Sequence, residues 1–234
     1  MLLRFFGRGS AFTDEHNSAF FSDGGSLVLI DHSISAFNKL RKLGTDRFTE
    51  SGKTDRICVL VTHTHSDHIS GIPLLVHYAF YVWDIPVTIA VPSDEVGEQL
   101  RYCLANVEGC DEQAYSIVPA DSLDWVEKVI PTKHVPSLDG RCFGYLLNIR
   151  GKKAIYTGDT NTLVPFLPYI GDDTELYTEI SVVDSGVHLF LGDNAEQLKA
   201  LSEKGVKVFL MHLDDEQFIE NAFRDTDISL APLF

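Results

Sequence analysis

Apolar residues occur along this chain in short runs separated by glycine-rich or polar turns, and most runs have the length of a β-strand. Strands are predicted at 2–6, 17–21, 27–30, 57–61, 87–91, 115–118, 123–130, 143–149, 153–157, 176–183 and 206–210. Helices are predicted at 33–43, 72–83, 93–107 and 193–204. Asp193, with Glu196 three residues later, predicts a capped start for the last helix. Strands and helices that alternate in two similar halves predict one α/β domain over 1–234, with two sheets flanked by helices.

Composition narrows the classes of protein that this chain can represent. A hydrophobic content of 44% is ordinary for a soluble protein, and no apolar segment is long enough for a membrane span, so no membrane partner is expected. The first residues lack the apolar stretch of a secretion signal. The four cysteines form no CxxC pair, which favours reduced thiols and a cytoplasmic protein. A net charge of -15 repels polyanions and weighs against a long nucleic-acid partner.

Candidate metal ligands are concentrated directly after the apolar run 57–61. His63 and His65 are two residues apart on extended backbone, so both imidazoles project to the same side and can meet one ion. Asp67 and His68 follow where the chain turns towards a helix, and their placement suits a second cation nearby. The alternative, surface histidines in a polar turn, fits poorly with three histidines and an aspartate packed into six residues after a buried strand.

Three further candidate ligands, His134, Asp159 and His212, each follow an apolar β run. Together with His63-Thr64-His65-Ser66-Asp67-His68, they resemble the HxHxDH signature and downstream ligands of the metallo-β-lactamase superfamily. The resemblance implies an αββα sandwich of two mixed β-sheets. It also implies two ligand groups, His63, His65 and His134 for one ion and Asp67, His68 and His212 for the second, with Asp159 bridging the two. Histidine and carboxylate ligands without thiolate favour two divalent ions, Zn²⁺ first, with Mn²⁺ or Fe as alternatives.

The opening Phe5-Phe6-Gly7-Arg8-Gly9-Ser10 and the later Asn17-Ser18 resemble the FLGTGS and NS elements of the ribonuclease Z-like branch of this superfamily. That branch places a glutamate and a helper histidine before the last ligand, and Glu179 and His188 occupy comparable positions. The residues assigned to catalysis are therefore Asp67, His188 as general acid and Glu179 as its orienting partner. An edge-strand acid and a loop histidine remain the alternative reading of Glu179 and His188.

Two departures from the ribonuclease Z pattern affect the choice of substrate. Arg8 replaces the usual threonine, and the span from Asp159 to His188 is too short for the tRNA-gripping arm of the ribonucleases. We therefore predict a dinuclear phosphodiesterase that uses a metal-activated water on a small or cyclic phosphodiester, with tRNA 3′ processing less favoured. The alternatives are a carboxylic ester, thioester or lactone hydrolase with the same metal site, and a non-catalytic metal-binding sensor or scaffold. A homodimer is compatible with the sequence, which shows no interface pattern.

Overall fold

The computed structural model describes all residues from 1 to 234 and contains twelve strands in two six-stranded sheets. The first sheet contains β1 (Arg4–Gly7), β2 (Ser18–Asp23), β3 (Ser26–Ile30), β4 (Arg56–Leu60), β5 (Val87–Val91) and β6 (Tyr115–Pro119). The second contains β7 (Val126–Pro131), β8 (Phe143–Ile149), β9 (Lys152–Tyr156), β10 (Glu175–Glu179), β11 (Lys207–Met211) and β12 (Ser229–Leu230). The helices are α1 (Ile34–Leu43), α2 (Ser66–Ile69), α3 (Ile72–Tyr78), α4 (Asp94–Tyr102), α5 (Leu191–Glu203) and α6 (Glu216–Ala222).

The two sheets repeat one pairing pattern. The first sheet runs in the order β1 to β6, with two antiparallel pairings followed by three parallel ones. The second runs from β7 to β12 in the same way. Each half therefore has a hairpin-linked edge and a parallel part whose strands end together, which confirms the predicted pair of mixed sheets.

The apolar residues form three layers, and these layers define the sandwich. The middle layer lies between the sheets and contains Tyr145, Tyr156 and Tyr177, all fully buried. One outer layer joins the first sheet to α1, α3 and α4, and the other joins the second sheet to α5 and α6. Because both faces of each sheet are covered, the central strands are nearly continuous apolar runs, such as Ile57 to Val61. The order of layers is helix, sheet, sheet, helix, as predicted. No helix is both long enough and apolar enough to cross a bilayer.

Several predicted boundaries are wrong. The strand predicted at 176–183 ends at Glu179, and Ser181 instead forms an isolated bridge with Phe190. Helix α5 begins at Leu191, directly after this bridge, and not at the predicted Asp193. Asp193 therefore lies in the first turn and does not cap the helix. The strand predicted at 123–130 begins only at Val126, after a 3-10 turn. The C-terminal elements α6 and β12 were not predicted at all.

Candidate active site

The candidate ligands meet at the edge where the parallel strands end. His63 follows β4, His134 follows β7, Asp159 follows β9, and His212 follows β11 directly. Because strands β9, β10 and β11 are parallel neighbours, their carboxyl ends lie side by side. The short helix α2 begins after His65 and carries Asp67 and His68 in its only turn. The structure therefore brings all seven predicted ligands into one place.

The first group of candidate ligands consists of three histidines and Asp159. Its members are His63, His65, His134 and Asp159, whose ligand atoms all lie within 4.8 Å of one another. His134 Nε2 lies 3.3 Å from His65 Nδ1 and 3.7 Å from Asp159 Oδ2. His63 Nε2 is 3.9 Å from the same carboxylate oxygen. Three imidazole nitrogens and a carboxylate at this spacing can hold one divalent ion.

The second group lies on the other side of Asp159 and consists of Asp67, His68 and His212. Asp67 Oδ2 is 3.2 Å from His68 Nε2 and 3.3 Å from His212 Nε2. Asp159 also reaches this group, with Oδ1 3.4 Å from His68 Nε2 and Oδ2 3.4 Å from His212 Nε2. One carboxylate thus contacts both groups, which is the geometry that a ligand shared by two ions requires.

The buried polar atoms of the site fit a bound cation. His63 Nε2, His68 Nε2 and Asp159 Oδ1 are buried and have no hydrogen-bond partner. Orphaned polar atoms in a protein interior are rare and cost free energy, and cations bound in the two groups would satisfy all three. The donor set of imidazole and carboxylate suits divalent metals of the zinc, manganese or iron type. The fold and this donor set therefore support a site for divalent metal.

The imidazole tautomers are set by contacts behind the site. His68 Nδ1 donates to Asp31 Oδ2 at 2.8 Å, and His134 Nδ1 donates to the Val187 carbonyl at 2.8 Å. Each of these bonds leaves the Nε2 lone pair free to face the ligand cluster. Burial lowers the pKa of His63 and that of His134, which keeps both rings neutral and able to act as ligands.

His188 and Glu179 form a hydrogen-bonded pair beside the ligand groups. His188 Nδ1 lies 2.7 Å from Glu179 Oε2, and Glu179 is fully buried at the end of β10. The His188 side chain is 24% exposed, and its ring lies 4.8 Å from that of His134 and 5.2 Å from that of His212. Burial alone would lower the pKa of His188, but the hydrogen bond and charge of Glu179 outweigh it and raise the pKa to about 9. The pair is built to hold a proton at the rim of the cluster.

A third grouping allows a different reading of His188. Ligand atoms of Asp159, His188 and His212 also lie within 4.8 Å of one another. His188 Nδ1 is nevertheless much closer to Glu179 than to Asp159, whose Oδ2 is 4.0 Å away. The hydrogen bond to Glu179 favours a proton-transfer role over a ligand role, and metal content in a His188 variant separates the two.

Comparison with known proteins identifies the family. A family model described as Anti-Pycsar protein Apyc1 matches residues 1–230. The chain belongs to this family. The Anti-Pycsar protein Apyc1 of Bacillus phage 010DV004 is 28% identical over 250 residues, which cover 95% of this chain and 93% of the phage protein. The whole chain, and not only the ligand motif, is therefore related to the Apyc1 proteins.

Solved structures show the same fold at low sequence identity. The metallo-β-lactamase fold protein YhfI from Bacillus subtilis superposes with a TM-score of 0.71 at 18% identity, covering 97% of this chain and 93% of YhfI. The short form of human tRNase Z superposes with a TM-score of 0.63 at 18% identity, covering 100% of this chain and 97% of that protein. The predicted metallo-β-lactamase fold and its likeness to the ribonuclease Z-like branch are confirmed.

In this Apyc1-family chain, Asp31 supports the candidate ligand groups, a role that was not predicted from the sequence. Asp31 is fully buried, and its Oδ1 accepts from the Thr62 N–H at 2.8 Å. Its Oδ2 accepts from Thr62 Oγ1 and from His68 Nδ1, both at 2.8 Å. The neighbouring His32 is fully buried, and neither of its ring nitrogens has a hydrogen-bond partner. An aspartate directly before His32 at a strand end was the available signal.

We expect Asp31→Ala to weaken metal binding by about 10- to 100-fold, because His68 loses the carboxylate that orients its ring. A zinc titration against a competing chelator measures the change. Asp23→Ala, which removes an exposed aspartate at the far end of β2, is the matched control. Equal zinc affinities for the two variants would contradict the supporting role of Asp31.

Gly158 allows the chain to turn between β9 and Asp159. Its φ is +59°, and an added Cβ would lie 2.6 Å from the Phe143 carbonyl oxygen and 3.1 Å from Thr62 Cβ. A side chain at this position would be strained by its backbone conformation and would also clash. Both observations indicate that the tight turn before Asp159 requires a glycine.

We expect Gly158→Ala to lower the free energy of unfolding by about 3 kcal/mol, from the positive φ and the clash together. Gly109 is the control, because its φ is +65° and nothing lies within 4 Å of an added Cβ. Gly109→Ala should cost only about 1 kcal/mol. Urea unfolding measures both, and equal losses would show that the contact with Phe143 has no energetic effect.

Arg8 stabilises the strand-end loops of this Apyc1-family chain. Its Nε donates to Glu216 Oε2 at 3.0 Å, and its Nη1 donates to the Ala231 carbonyl at 2.7 Å. The Arg8 backbone carbonyl also accepts from the Leu213 N–H at 2.8 Å, next to His212. The arginine that replaces the usual threonine thus joins the first strand to α6 and the C-terminal segment.

Proposed function

We propose that this protein is a dinuclear metal-dependent phosphodiesterase that hydrolyses small cyclic phosphodiesters, with cyclic nucleotides as the substrate class. The observation that carries the proposal is the His188–Glu179 pair at the rim of the two ligand groups. A phosphodiester with an alkoxide leaving group needs a proton donor, whereas a thioester or an activated ester does not. The family name Anti-Pycsar supports a cyclic nucleotide as the diester.

The residues of the site would have distinct roles in this reaction. His63, His65 and His134 would hold one ion, Asp67, His68 and His212 would hold the second, and Asp159 would bridge them. Bound divalent ions, Zn²⁺ in the first instance, supply Lewis-acid stabilisation of the phosphoryl oxygens and activation of the attacking water. Asp67 would thereby contribute to catalysis as a ligand that contacts both His68 and His212.

The His188–Glu179 pair would act on the leaving group. His188 Nδ1 is held by Glu179, so the proton on Nε2 is the one available to the departing alkoxide oxygen. Glu179 is itself fixed, since its Oε1 accepts from the Thr160 N–H next to Asp159. As the P–O bond breaks, the Nε2 proton would move to the alkoxide, and the carboxylate would keep the ring oriented.

Long RNA suits the site less well. The segment between Asp159 and His188 contains a 3-10 turn at Leu167–Tyr169 and strand β10, and no protruding helical arm. The net charge of -15 opposes a polyanion outside the ligand groups. A small diester carries few phosphate charges, so the negative charge of the protein repels it only weakly.

A substrate panel tests the class of bond that is cleaved. Protein reloaded with zinc or manganese is assayed on bis(p-nitrophenyl) phosphate, p-nitrophenyl acetate and a thioester. We expect diester turnover that is lost on chelation and restored by metal. Turnover of the ester or thioester alone would overturn the phosphodiesterase proposal, and inactivity of a fully loaded sample on every substrate would favour a metal-binding sensor.

A further inference from the structure

We propose that Asp214 is a positioning residue that sets the placement of the His188–Glu179 pair against the ligand groups, an inference that rests on the proposed function. Asp214 lies two residues after His212 and follows the turn that ends β11. Neither ligand group includes it. Its carboxylate nevertheless bonds to the segment that joins Glu179 to His188.

The carboxylate of Asp214 binds that segment through a side chain and a backbone group. Ser181 Oγ donates to Asp214 Oδ2 at 2.6 Å. The Val182 N–H is shared between the two carboxylate oxygens, at 3.1 Å from each. The Asp215 N–H donates to Oδ1 at 2.9 Å, which fixes the rotation of the carboxylate. Hydrogen bonds to a charged acceptor are stronger than neutral ones, so this is a firm connection between two loops.

Ser181 lies between Glu179 and His188 in the sequence and is buried. Its N–H donates to the Leu189 carbonyl at 2.9 Å, and its own carbonyl accepts from the Leu191 N–H at 2.8 Å. These two bonds hold Leu189 and Leu191, which follow His188, against Ser181, which follows Glu179. A shift of Ser181 would therefore change the distance between His188 and the carboxylate that orients it.

The other side of the connection is anchored at His212. His212 has a φ of +53°, a left-handed conformation that a residue with a side chain adopts at a cost. The next residue, Leu213, donates to the Arg8 carbonyl at 2.8 Å and accepts from the Ser10 N–H at 2.9 Å. Asp214 thus extends from a turn that is held on both sides and that carries a ligand of the second group. Through Asp214, the proton donor and that ligand keep a fixed relative position.

The expected consequence depends on the leaving group. Displacement of a catalytic group by about 1 Å costs about 100-fold in rate, because proton transfer requires close alignment. Asp214→Ala should lower kcat for a 3′,5′-cyclic nucleotide by about 10- to 100-fold, with a smaller change in KM. For bis(p-nitrophenyl) phosphate the loss should stay below about threefold, since p-nitrophenolate leaves without a proton.

The experiment compares Asp214→Ala with Asp214→Asn, Ser181→Ala and Asp215→Ala in the metal-loaded full chain. Asparagine keeps one oxygen acceptor for Val182 and Ser181, so it should restore most of the rate. Asp215 caps α6 by accepting from the Phe218 N–H at 2.9 Å, so Asp215→Ala controls for general destabilisation of this turn. Metal content and thermal unfolding are measured for every variant.

A spectroscopic readout is independent of turnover. The His188 Nδ1 proton, bonded to Glu179, should give a downfield proton resonance that is absent in His188→Ala. We expect Asp214→Ala to shift or broaden this resonance, and we expect Asp214→Asn and Asp215→Ala to leave it close to its original position.

The outcomes separate failure of this inference from failure of the proposed function. An unchanged His188 resonance in Asp214→Ala, or an equal loss of rate on both diesters, would overturn the positioning role. If the unmodified protein hydrolyses no diester, the proposed function fails, and the resonance alone then decides whether Asp214 places His188. A shifted resonance together with a selective loss on the cyclic substrate supports both.

Discussion

Asp159→Ala is expected to abolish phosphodiester turnover, with a loss of about 1,000-fold or more. Its carboxylate lies within 4 Å of ligand nitrogens in both groups, namely those of His63, His134, His68 and His212. Its removal takes away the one ligand that the two ions would share. Several kcal/mol of transition-state stabilisation come from a correctly held metal pair, which corresponds to three or more powers of ten in rate.

The measurement is steady-state turnover of bis(p-nitrophenyl) phosphate together with the metal content of the purified variant. We expect metal content to fall well below that of the unmodified protein. Asp173→Ala is the matched control, because Asp173 is an exposed aspartate near the start of β10, at the opposite end of the strand from the site. Turnover of Asp159→Ala within about threefold of this control would show that the carboxylate is dispensable.

His188→Ala is expected to lower kcat on a cyclic phosphodiester by about 100- to 10,000-fold, the range that a positioned general acid contributes. The loss on bis(p-nitrophenyl) phosphate should be much smaller, since its leaving group is a weak base. Metal content should stay unchanged, because His188 Nδ1 is engaged by Glu179 at 2.7 Å. Glu179→Gln should reproduce part of the effect, since the amide still accepts but does not stabilise a charged imidazole.

The control for His188 is His77→Ala, because the His77 ring lies in α3 and contacts the thiol of Cys110 at 3.5 Å. A fall in metal content in His188→Ala alone would assign His188 to the group that it forms with Asp159 and His212. An unchanged rate on the cyclic substrate would show that His188 is not a general acid and would favour ester or thioester hydrolysis.

The candidate ligands could be predicted because their signal is local. Each follows an apolar run, and the ends of parallel strands gather at one edge of a sheet, so sequence order and strand spacing were sufficient. Glu179 was predicted inside a strand over 176–183, and the structure places it at the end of β10 instead. The structure adds the contact between Glu179 and His188, which the sequence could offer only through the family resemblance.

The contacts that the sequence could not supply join residues that are distant along the chain. Asp31 supports His68 across 37 positions, and Ser181 meets Asp214 across 33. Residue type alone does not distinguish the supporting carboxylates of Asp31 and Asp214 from those of ordinary turn aspartates. The start of α5 was missed for the same reason, since the bond from the Leu191 N–H to the Ser181 carbonyl replaced the predicted cap at Asp193.

We propose that this Apyc1-family chain is a metal-dependent phosphodiesterase for cyclic diesters, and its activity on cyclic nucleotides decides the matter. The most direct test is the rate at which metal-loaded protein converts 3′,5′-cyclic nucleotides into linear nucleotides, with and without a chelator. We expect hydrolysis that stops on chelation, returns with added zinc or manganese, and is lost in Asp159→Ala. Protein with a full complement of metal that leaves cyclic nucleotides intact while hydrolysing an ester or thioester would contradict it.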